Sequence, residues 1–408
     1  MSRQFRFPSD WKTSLLDAIT TRGSGHTPSQ KFPEYWDGGV KWVSLADSSA
    51  LDNRYIFETD KKISMLGIRK SSAVLHPPNT VILSRDAGVG KSAILGQEMA
   101  VSQHFIAWNC GTSRRTLHPE FLYYWLQWLK PEFERMAVGS TVKTIGLPYF
   151  KKLKITYPAI QEQTAIAVLL STCDAAIEKT ERLIAAKESR FTVFTLELLD
   201  DGTRDWQQLH LHDLCEPITR KNDVGEVNVL TTSAQHGLVS QLDYYKKSVS
   251  AEDVSGYYLL KPGEFAYNRS SSNGYPYGAI KRLESDKQGV LSTLYLCFAI
   301  KSGAQCNSDF LAHAFEAGVL NRQLAGVCQE GARSHGLLNI TKTDFFGLKI
   351  SLPPLAEQRQ IAAILNAARQ EIDLLKRQAE AYRRQKRGLM QKLLTGVWRV
   401  KVGEEGQA

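Results

Sequence analysis

The sequence predicts an α+β protein in which two related α/β domains alternate with two long helices, the helices packing as an antiparallel coiled coil with pseudo-two-fold symmetry. Three observations lead to this class: a heptad segment near the C-terminus, a second copy of it 195 residues earlier, and β-rich stretches before each copy. A repeat on this scale determines the architecture before any single element is assigned.

The heptad segment runs from Leu352 to Trp398 and contains no proline after its first three residues. Its apolar positions recur at alternating steps of four and three residues, which is typical of a helix that pairs with another helix. The seam residues predicted from this spacing are Ile361, Leu365, Ile372, Leu375 and Tyr382.

The partner helix lies in the same chain, because the whole seam repeats 195 residues earlier without a gap. Outside the seam, Pro158 matches Pro353 and the pair Asp10-Trp11 matches Asp205-Trp206 at the same spacing. Chance similarity between two amphipathic helices would not extend to such positions. The corresponding seam residues are Ile166, Leu170, Ile177, Ile184 and Phe191.

Each globular block shows short β-rich runs between turn signals. In the first block, residues 81–83 read as a buried strand that ends before Arg85. In the second, a strand over 264–267 leads into a loop that begins at Asn268. The aromatic helix near residues 119–136 carries rings on more than one face, which favours a core role over a base-stacking surface.

Length and composition agree with two domains of a globular protein. The chain has 408 residues, 43% of them hydrophobic and 23% charged, and one core rarely serves so long a chain. No apolar run reaches the roughly 18–20 residues of a membrane span, and the N-terminus has no apolar signal-peptide region. Six scattered cysteines without a C-x-x-C motif favour a reducing cytoplasm. The net charge of +9 favours a polyanionic partner.

Two motifs suggest chemistry, and neither fits its pattern. Residues 88–92, GVGKS, resemble a phosphate loop, but Arg85 stands where the pattern requires glycine and the next stretch reads as a strand. His210, His212 and Cys215 have a zinc-like spacing without a fourth ligand, and alternation along one strand face explains the histidines. We therefore predict a chain without a catalytic site, metal or cofactor.

Recognition of nucleic acid remains, and the loops after the predicted strands carry suitable side chains. Arginine and asparagine can contact base edges with two hydrogen bonds, whereas lysine neutralises phosphates. For any one residue a solvated charge is the alternative. The candidate DNA-binding residues are Arg22, Arg85, Lys91, Lys143, Arg220, Lys221, Asn268, Arg269, Tyr275 and Arg333.

The motif P-x-x-x-E-Q-x-x-I occurs in both copies, and the C-terminal copy ends in KRGLMQKLLTG. The first block also contains HTPS, YWDGGVKWVSLAD and PPNTVILSRDAGVGKSAI, in that order. With these motifs the whole chain resembles the DNA specificity subunit of type I restriction–modification systems. The first helix departs from the pattern, since SRFTVFTLELLDDG replaces a KRGLMQKLLTG-like ending.

The resemblance implies two target-recognition domains, each reading one half of a bipartite asymmetric site on double-stranded DNA. It also implies that two modification (methyltransferase) subunits dock on the helices and that restriction/translocase subunits join them. Those partners would use S-adenosylmethionine, ATP and Mg²⁺, and no membrane is involved. The predicted divisions are target-recognition domain 1 at 1–158, the central spacer helix at 159–204, target-recognition domain 2 at 205–353, the C-terminal spacer helix at 354–398 and a tail at 399–408.

Two alternatives stay open. The chain could be a coiled-coil assembly scaffold that makes no base-specific contact with DNA, or a nucleotide hydrolase that uses residues 88–92. DNA binding by the partner complex separates the first alternative from recognition, and ATP turnover by the chain tests the second.

Overall fold

The computed structural model describes residues 6–111, 116–199, 205–233, 237–245, 253–272, 274–330 and 338–401. The chain divides into two compact units, Met1–Glu181 with Arg377–Ala408 and Arg182–Lys376. Each unit therefore contains one globular block together with a part of each long helix.

The first block and the helix that follows it contain eleven strands, five α-helices and two short 3-10 helices, Pro33–Tyr35 and Leu45–Ser49, within the described residues. In chain order they are β1 (Lys12–Leu15), α1 (Leu16–Ile19), β2 (Thr21–Ser24), β3 (Trp36–Val43), β4 (Tyr55–Ile56), β5 (Lys61–Ile63), α2 (Met65–Arg69), β6 (Leu75–His76), β7 (Thr80–Ser84), β8 (Ser92–Leu95), β9 (Met99–Val101), β10 (Phe105–Asn109), α3 (Pro119–Met136), α4 (Leu147–Lys151), β11 (Lys154–Tyr157) and α5 (Ile160–Leu199).

The second block and its helix follow the same plan. Their elements are β12 (Gln207–His210), α6 (Leu211–Leu214), β13 (Cys215–Pro217), β14 (Leu230–Ser233), β15 (Gly237–Ser240), α7 (Gln241–Tyr245), β16 (Tyr258–Leu260), β17 (Phe265–Asn268), β18 (Ala279–Arg282), β19 (Gly289–Leu291), β20 (Leu296–Ile300), α8 (Ser308–Glu316), α9 (Asn321–Val327), β21 (Gln329–Glu330), β22 (Leu338–Asn339), α10 (Lys342–Phe346), β23 (Lys349–Leu352) and α11 (Leu355–Leu394).

The central sheet has the same strand order in both blocks. It is β2-β10-β7-β8 in the first, extended by β4, and β13-β20-β17-β18 in the second. Neighbours among these shared strands are antiparallel. The surroundings differ: the first block adds the four-stranded sheet β5-β3-β9-β6, and the second adds the separate pairs β14-β15, β16-β19 and β21-β22. The two blocks thus have one topology with different additions.

The elements next to the long helices keep the spacing of 195 residues, which confirms the internal duplication. This holds for β1 and β12, α1 and α6, β11 and β23, and α5 and α11, the two helices having 40 residues each. Inside the blocks the spacing changes, and β10 and β20 begin 191 residues apart, at Phe105 and Leu296. In each block the first and last strands pair, β1 with β11 and β12 with β23, so the chain returns to the point where the long helix begins.

The core of the first unit joins its sheet to both long helices. Trp108 of β10 and Tyr124 of α3 are buried with Ile166 and Leu170 of α5 and Leu393 of α11. Removing a side chain of this size from water is worth roughly 1.5–3 kcal/mol. In the second unit, Phe298 and Phe310 are buried with Ile361 and Leu365 of α11 and Leu199 of α5. Each block therefore packs on the start of one helix and the end of the other.

Within the first unit, α5 and α11 run antiparallel. Asp174 forms an ion pair with Lys386, and seven residues later Glu181 pairs with Arg383. Residue numbers fall along α11 as they rise along α5, which only an antiparallel pair allows.

The helix segments of the second unit have the same relation. Glu188 pairs with Lys376 at 2.7 Å, and three residues later the Arg369 guanidinium lies over the Phe191 ring at 5.1 Å. The fold class predicted from the heptads is thus confirmed. The ten predicted seam residues are buried or half-buried: Ile166, Leu170, Ile177, Ile184, Phe191, Ile361, Leu365, Ile372, Leu375 and Tyr382.

A buried glutamine anchors the start of α5. The side-chain amide of Gln163 donates to the carbonyls of Pro158 at 2.9 Å and Thr116 at 3.0 Å. Its oxygen accepts the backbone N–H of His118 at 2.9 Å. One side chain thus joins the strand that enters α5 to the loop that precedes α3.

Gln358 makes the same three contacts in the second unit. Its amide donates to the carbonyls of Pro353 at 2.8 Å and Gln305 at 3.0 Å, and its oxygen accepts the N–H of Asn307 at 2.7 Å. Gln163 and Gln358 are 0% and 1% exposed. The E-Q motif therefore holds each globular block to its long helix.

Two predictions about motifs are resolved by the secondary structure. Strand β8 starts at Ser92, so the strand predicted after the GVGKS sequence is confirmed, in the place where a phosphate loop would require a helix. Strand β12 ends at His210, and His212 lies in the short helix α6 that follows. The carboxylate of Asp213 accepts the backbone N–H of His210 at 3.0 Å and caps the start of this helix. The prediction that both histidines lie on one strand face was wrong.

The six cysteines have free thiols. Burial raises the pKa of Cys110, Cys215 and Cys297 to about 12, which keeps these thiols protonated and unreactive at neutral pH. Among the described residues, no helix is both long and apolar enough to span a membrane.

Candidate nucleic-acid interface

The end of β7 brings three candidate residues of the first block into one region. Arg85 follows this strand directly, and its carbonyl accepts the N–H of Ile145 at 2.9 Å. The next residue, Asp86, bridges to Thr144. These contacts place the loop that carries exposed Lys143 beside Arg85, and Lys91 closes the same turn.

The turn between β7 and β8 is fastened to the block. Gly88 and Gly90 have φ of +113° and +87°, a region that other residues rarely adopt. A Cβ at Gly90 would also lie 2.9 Å from the Lys130 side chain. Lys91 donates to the carbonyl and hydroxyl of Ser48 at 2.9 and 3.0 Å. Its ammonium therefore stabilises the turn. Arg85 is half-buried, and its Nε is enclosed without a hydrogen-bond partner among the described residues, whereas Lys143 is exposed.

Arg22 does not lie in this region. It faces Trp108 on β10, and Trp108 faces Val81 near the start of β7. From Val81 to Arg85 the strand rises roughly 13 Å at ~3.3 Å per residue. The Arg22 guanidinium also pairs with Asp17 at 2.9 Å.

In the second block, Asn268 and Arg269 lie at the end of β17, in the same place as Arg85 in the first. Arg269 is held on both sides, since its Nε donates to the Leu294 carbonyl at 3.0 Å and its own carbonyl accepts the Leu338 N–H at 2.7 Å. Asn268 is half-exposed and is the last residue of the strand. An amide in this position can donate to and accept from an adenine edge.

Tyr275 belongs to a polar cluster beside the same loop. Its hydroxyl donates to Glu316 at 2.7 Å and accepts from Lys281 at 2.7 Å, and Lys281 also pairs with Glu316. Burial, and then the hydrogen bond to Glu316, raise the pKa of Tyr275. Lys281 is only 7% exposed, so this cluster orders the loop from inside the block.

Arg220 and Lys221 lie at the opposite end of β17. The Arg220 guanidinium pairs with Glu264 at 2.7 Å and donates to the Leu259 carbonyl at 2.9 Å. Lys221 donates to the Gly256 carbonyl at 2.7 Å and lies 4.4 Å from the centre of the Tyr258 ring. Arg333 lies outside the described residues. The second block therefore divides its candidates between two regions.

Arg399, which the sequence analysis did not select, joins the ends of the first unit. Its guanidinium contacts Glu162 at 2.7 Å and Asp10 at 2.8 Å. These two carboxylates, Glu162 first, raise the pKa of Arg399, and Arg399 lowers the pKa of Asp10. The sequence repeat could have indicated this ion pair. At the spacing of 195 residues, Arg399 corresponds to Arg204 and Asp10 corresponds to Asp205, and these two counterparts are adjacent in the sequence.

The candidate side chains at the ends of β7 and β17 can form hydrogen bonds, and those of arginine and lysine carry positive charge. Within the part of the chain that the structure describes, no group of three His, Cys, Asp or Glu side chains is arranged to hold a metal ion. Cationic and amide side chains at loop positions can contact phosphates and base edges.

The sequence matches a family described as the type I restriction modification DNA specificity domain twice, over residues 8–187 and 203–381. It is 23% identical over 428 residues to the MjaVIII specificity subunit of Methanocaldococcus jannaschii, a match that covers 97% of this chain and 95% of that protein. The MjaIX specificity subunit of the same organism is 27% identical over 185 residues, covering 43% of this chain and 41% of that protein.

Solved structures show the same fold. The S subunit of a type I restriction–modification system from M. genitalium superposes with a TM-score of 0.55 at 14% identity, covering 96% of this chain and 97% of that one. A chain from a study of assembly and conformational transition in the type I system has a TM-score of 0.57 at 17% identity, covering 97% and 100%. The two family matches span most of the sequence, so this chain belongs to the family of type I restriction–modification DNA specificity subunits, whose members are non-catalytic.

Proposed function

We propose that each globular block reads one half of a bipartite asymmetric sequence on double-stranded DNA, while α5 and α11 set the distance between the halves. The observation that carries this proposal is the contrast within the duplication. The elements that close each block onto the long helices keep one spacing, whereas the strand-end loops and the added sheets differ. A common frame with unlike loops is what two readers of different sequences require.

The strand ends supply the chemistry for such reading. Among the candidates that the structure describes, Arg85 and Lys143 in the first block and Asn268 in the second have the fewest side-chain partners. Arginine or asparagine on a base edge discriminates by roughly 1–3 kcal/mol, whereas lysine on phosphate adds affinity without sequence preference. Lys91, Arg269 and Tyr275 are hydrogen-bonded inside the blocks, where they would shape the reading loops. Arg220 and Lys221 are hydrogen-bonded at the opposite end of β17.

The partners follow from the same proposal. Two modification subunits would dock on the helices and supply S-adenosylmethionine chemistry, and restriction/translocase subunits would add ATP- and Mg²⁺-dependent steps. This chain would contribute no cofactor. Each 40-residue helix is about 60 Å long at ~1.5 Å per residue, which is about 1.7 turns of duplex at ~34–36 Å per turn.

The half-site assignment is tested by Asn268→Ala in the chain assembled with its modification subunits. We expect discrimination at one or two base pairs of a single half-site to relax about tenfold, with the other half unchanged. Competition binding with DNA variants at each position measures this.

Lys143→Ala should instead weaken binding to all sequences and reduce the salt slope by about one. Lys154→Ala, on the frame strand β11, is the matched control for loss of one charge. Equal loss of discrimination in both halves after Asn268→Ala would contradict the modular assignment, and no DNA binding by the wild-type complex would favour the assembly scaffold.

A further inference from the structure

Among the contacts described for the two long helices are four ion pairs that cross between them, and three of the four have the same polarity. In three of them α5 supplies the carboxylate and α11 the cation; the fourth joins Lys187 of α5 to Glu371 of α11 at 2.7 Å. We call these four contacts the cross-helix charge pattern. Its three main pairs are Asp174–Lys386, Glu181–Arg383 and Glu188–Lys376.

The duplication shows what would happen if a second α5 took the place of α11. Each α11 position has its α5 counterpart 195 residues earlier, so the counterpart of Arg383 is Glu188 and that of Lys376 is Glu181. Glu181 of each copy would therefore face Glu188 of the other. The counterpart of Lys386 is Phe191, so Asp174 would lose its cation as well.

Two copies of α11 would bring more like charges together than two copies of α5. The counterpart of Asp174 is Arg369, so Lys386 of each copy would face Arg369 of the other. Arg383 would likewise face Lys376, which gives four contacts between like charges.

An independent contact supports this register. The reversed pair Lys187–Glu371 has as its counterparts Tyr382 and Ala176. Tyr382 and Ala176 line the same small cleft in the first unit. A contact in one unit therefore has its counterpart in the other unit at the spacing of 195 residues. The same spacing can be used to work out which residues would meet if one long helix replaced the other.

We propose that the cross-helix charge pattern makes α5 a docking surface for an α11-type basic helix and excludes a second copy of α5, so that only unlike halves of this chain pair. Exposed ion pairs are individually weak. Charges flanking a helix seam nevertheless determine which partner is chosen, because the wrong partner replaces attraction by repulsion at each position. The proposal concerns pairing of the halves and does not depend on which DNA sequence they read.

The test begins with the full chain, carrying a protease site between Leu199 and Asp205 and a different tag at each end. The folded chain is cut, the halves are separated in urea and refolded together, and the complexes are counted by native mass spectrometry. Without a preference, half of the complexes would join like with like. We expect like-with-like complexes to be at least tenfold rarer than that, and a random mixture would overturn the proposal.

One substitution should largely remove the preference of the N-terminal half for the unlike half. With Glu188→Lys, two like halves would gain opposite charges at both Glu181 positions, so their self-pairing should rise at least tenfold. Glu197→Lys makes the same charge change at an exposed position of α5 and should leave the distribution unchanged. Equal behaviour of the two variants would refute the role of charge.

The uncut chain provides a measurement that does not need refolded halves. Glu188→Lys should lower the melting temperature, and adding Lys376→Glu should restore most of the loss, because the pair is then reversed rather than removed. If the double variant is no more stable than Glu188→Lys alone, the cross-helix charge pattern does not govern pairing.

Discussion

Replacing Gln358 by alanine is expected to lower the free energy of unfolding of the second unit by about 3 kcal/mol. The substitution removes three hydrogen bonds of a fully buried amide, and a buried group left without its partner costs about 1–3 kcal/mol. Gln163→Ala should have the same effect on the first unit. Denaturant unfolding measures the loss, and hydrogen exchange at the Asn307 and His118 amides locates it.

The chain contains a matched control for each substitution. Gln360 on α11 and Gln161 on α5 are exposed glutamines two residues away from the buried ones. Their replacement by alanine should change stability by no more than about 0.5 kcal/mol. If Gln358→Ala costs as little as Gln360→Ala, the glutamine does not hold the block to its helix.

Inserting four residues into α5 near Ala185 is expected to lengthen the gap that the assembled complex tolerates between its half-sites. Four residues add about 6 Å of helix, which corresponds to about one or two base pairs. They turn the helix by little more than one full turn, so later residues keep nearly the same face. Ala185 is exposed and lies between the Glu181 and Lys187 ion pairs.

The same four residues inserted after Val227 serve as the control. Val227 is 78% exposed and lies in a loop of the second block, so this insertion should leave the gap unchanged. Binding to a series of DNAs that differ only in gap length measures both variants. An unchanged optimum after the α5 insertion would show that helix length does not set the spacing.

The duplicated frame could be predicted from the sequence because its signals are local and periodic. Seam spacing predicted α5 and α11, and the repeated Pro158 and Pro353 predicted where the helices are entered. The contacts of Gln163 could not be predicted, since Thr116 lies 47 residues away and the partners are backbone groups. The sequence did show that Gln163 is repeated as Gln358, which indicated that both glutamines have the same role.

The candidate site was harder to predict because residue type does not reveal the partner. Arg220 was selected as a loop cation, but Glu264, 44 residues later, folds against it. Arg269 was selected in the same way and donates to the carbonyl of Leu294. Asn268 and Lys143 have fewer such contacts. These differences depend on contacts between residues far apart in the sequence, and the roles of all these residues on DNA stay predictions.

Sequencing the methylated bases of a host that carries this chain with its modification subunits tests the two-reader proposal most directly. The proposal predicts one asymmetric motif with two specified parts and an unspecified gap between them, and Asn268→Ala should change one part only. A continuous motif, or two identical parts in palindromic arrangement, would contradict two blocks that read different halves.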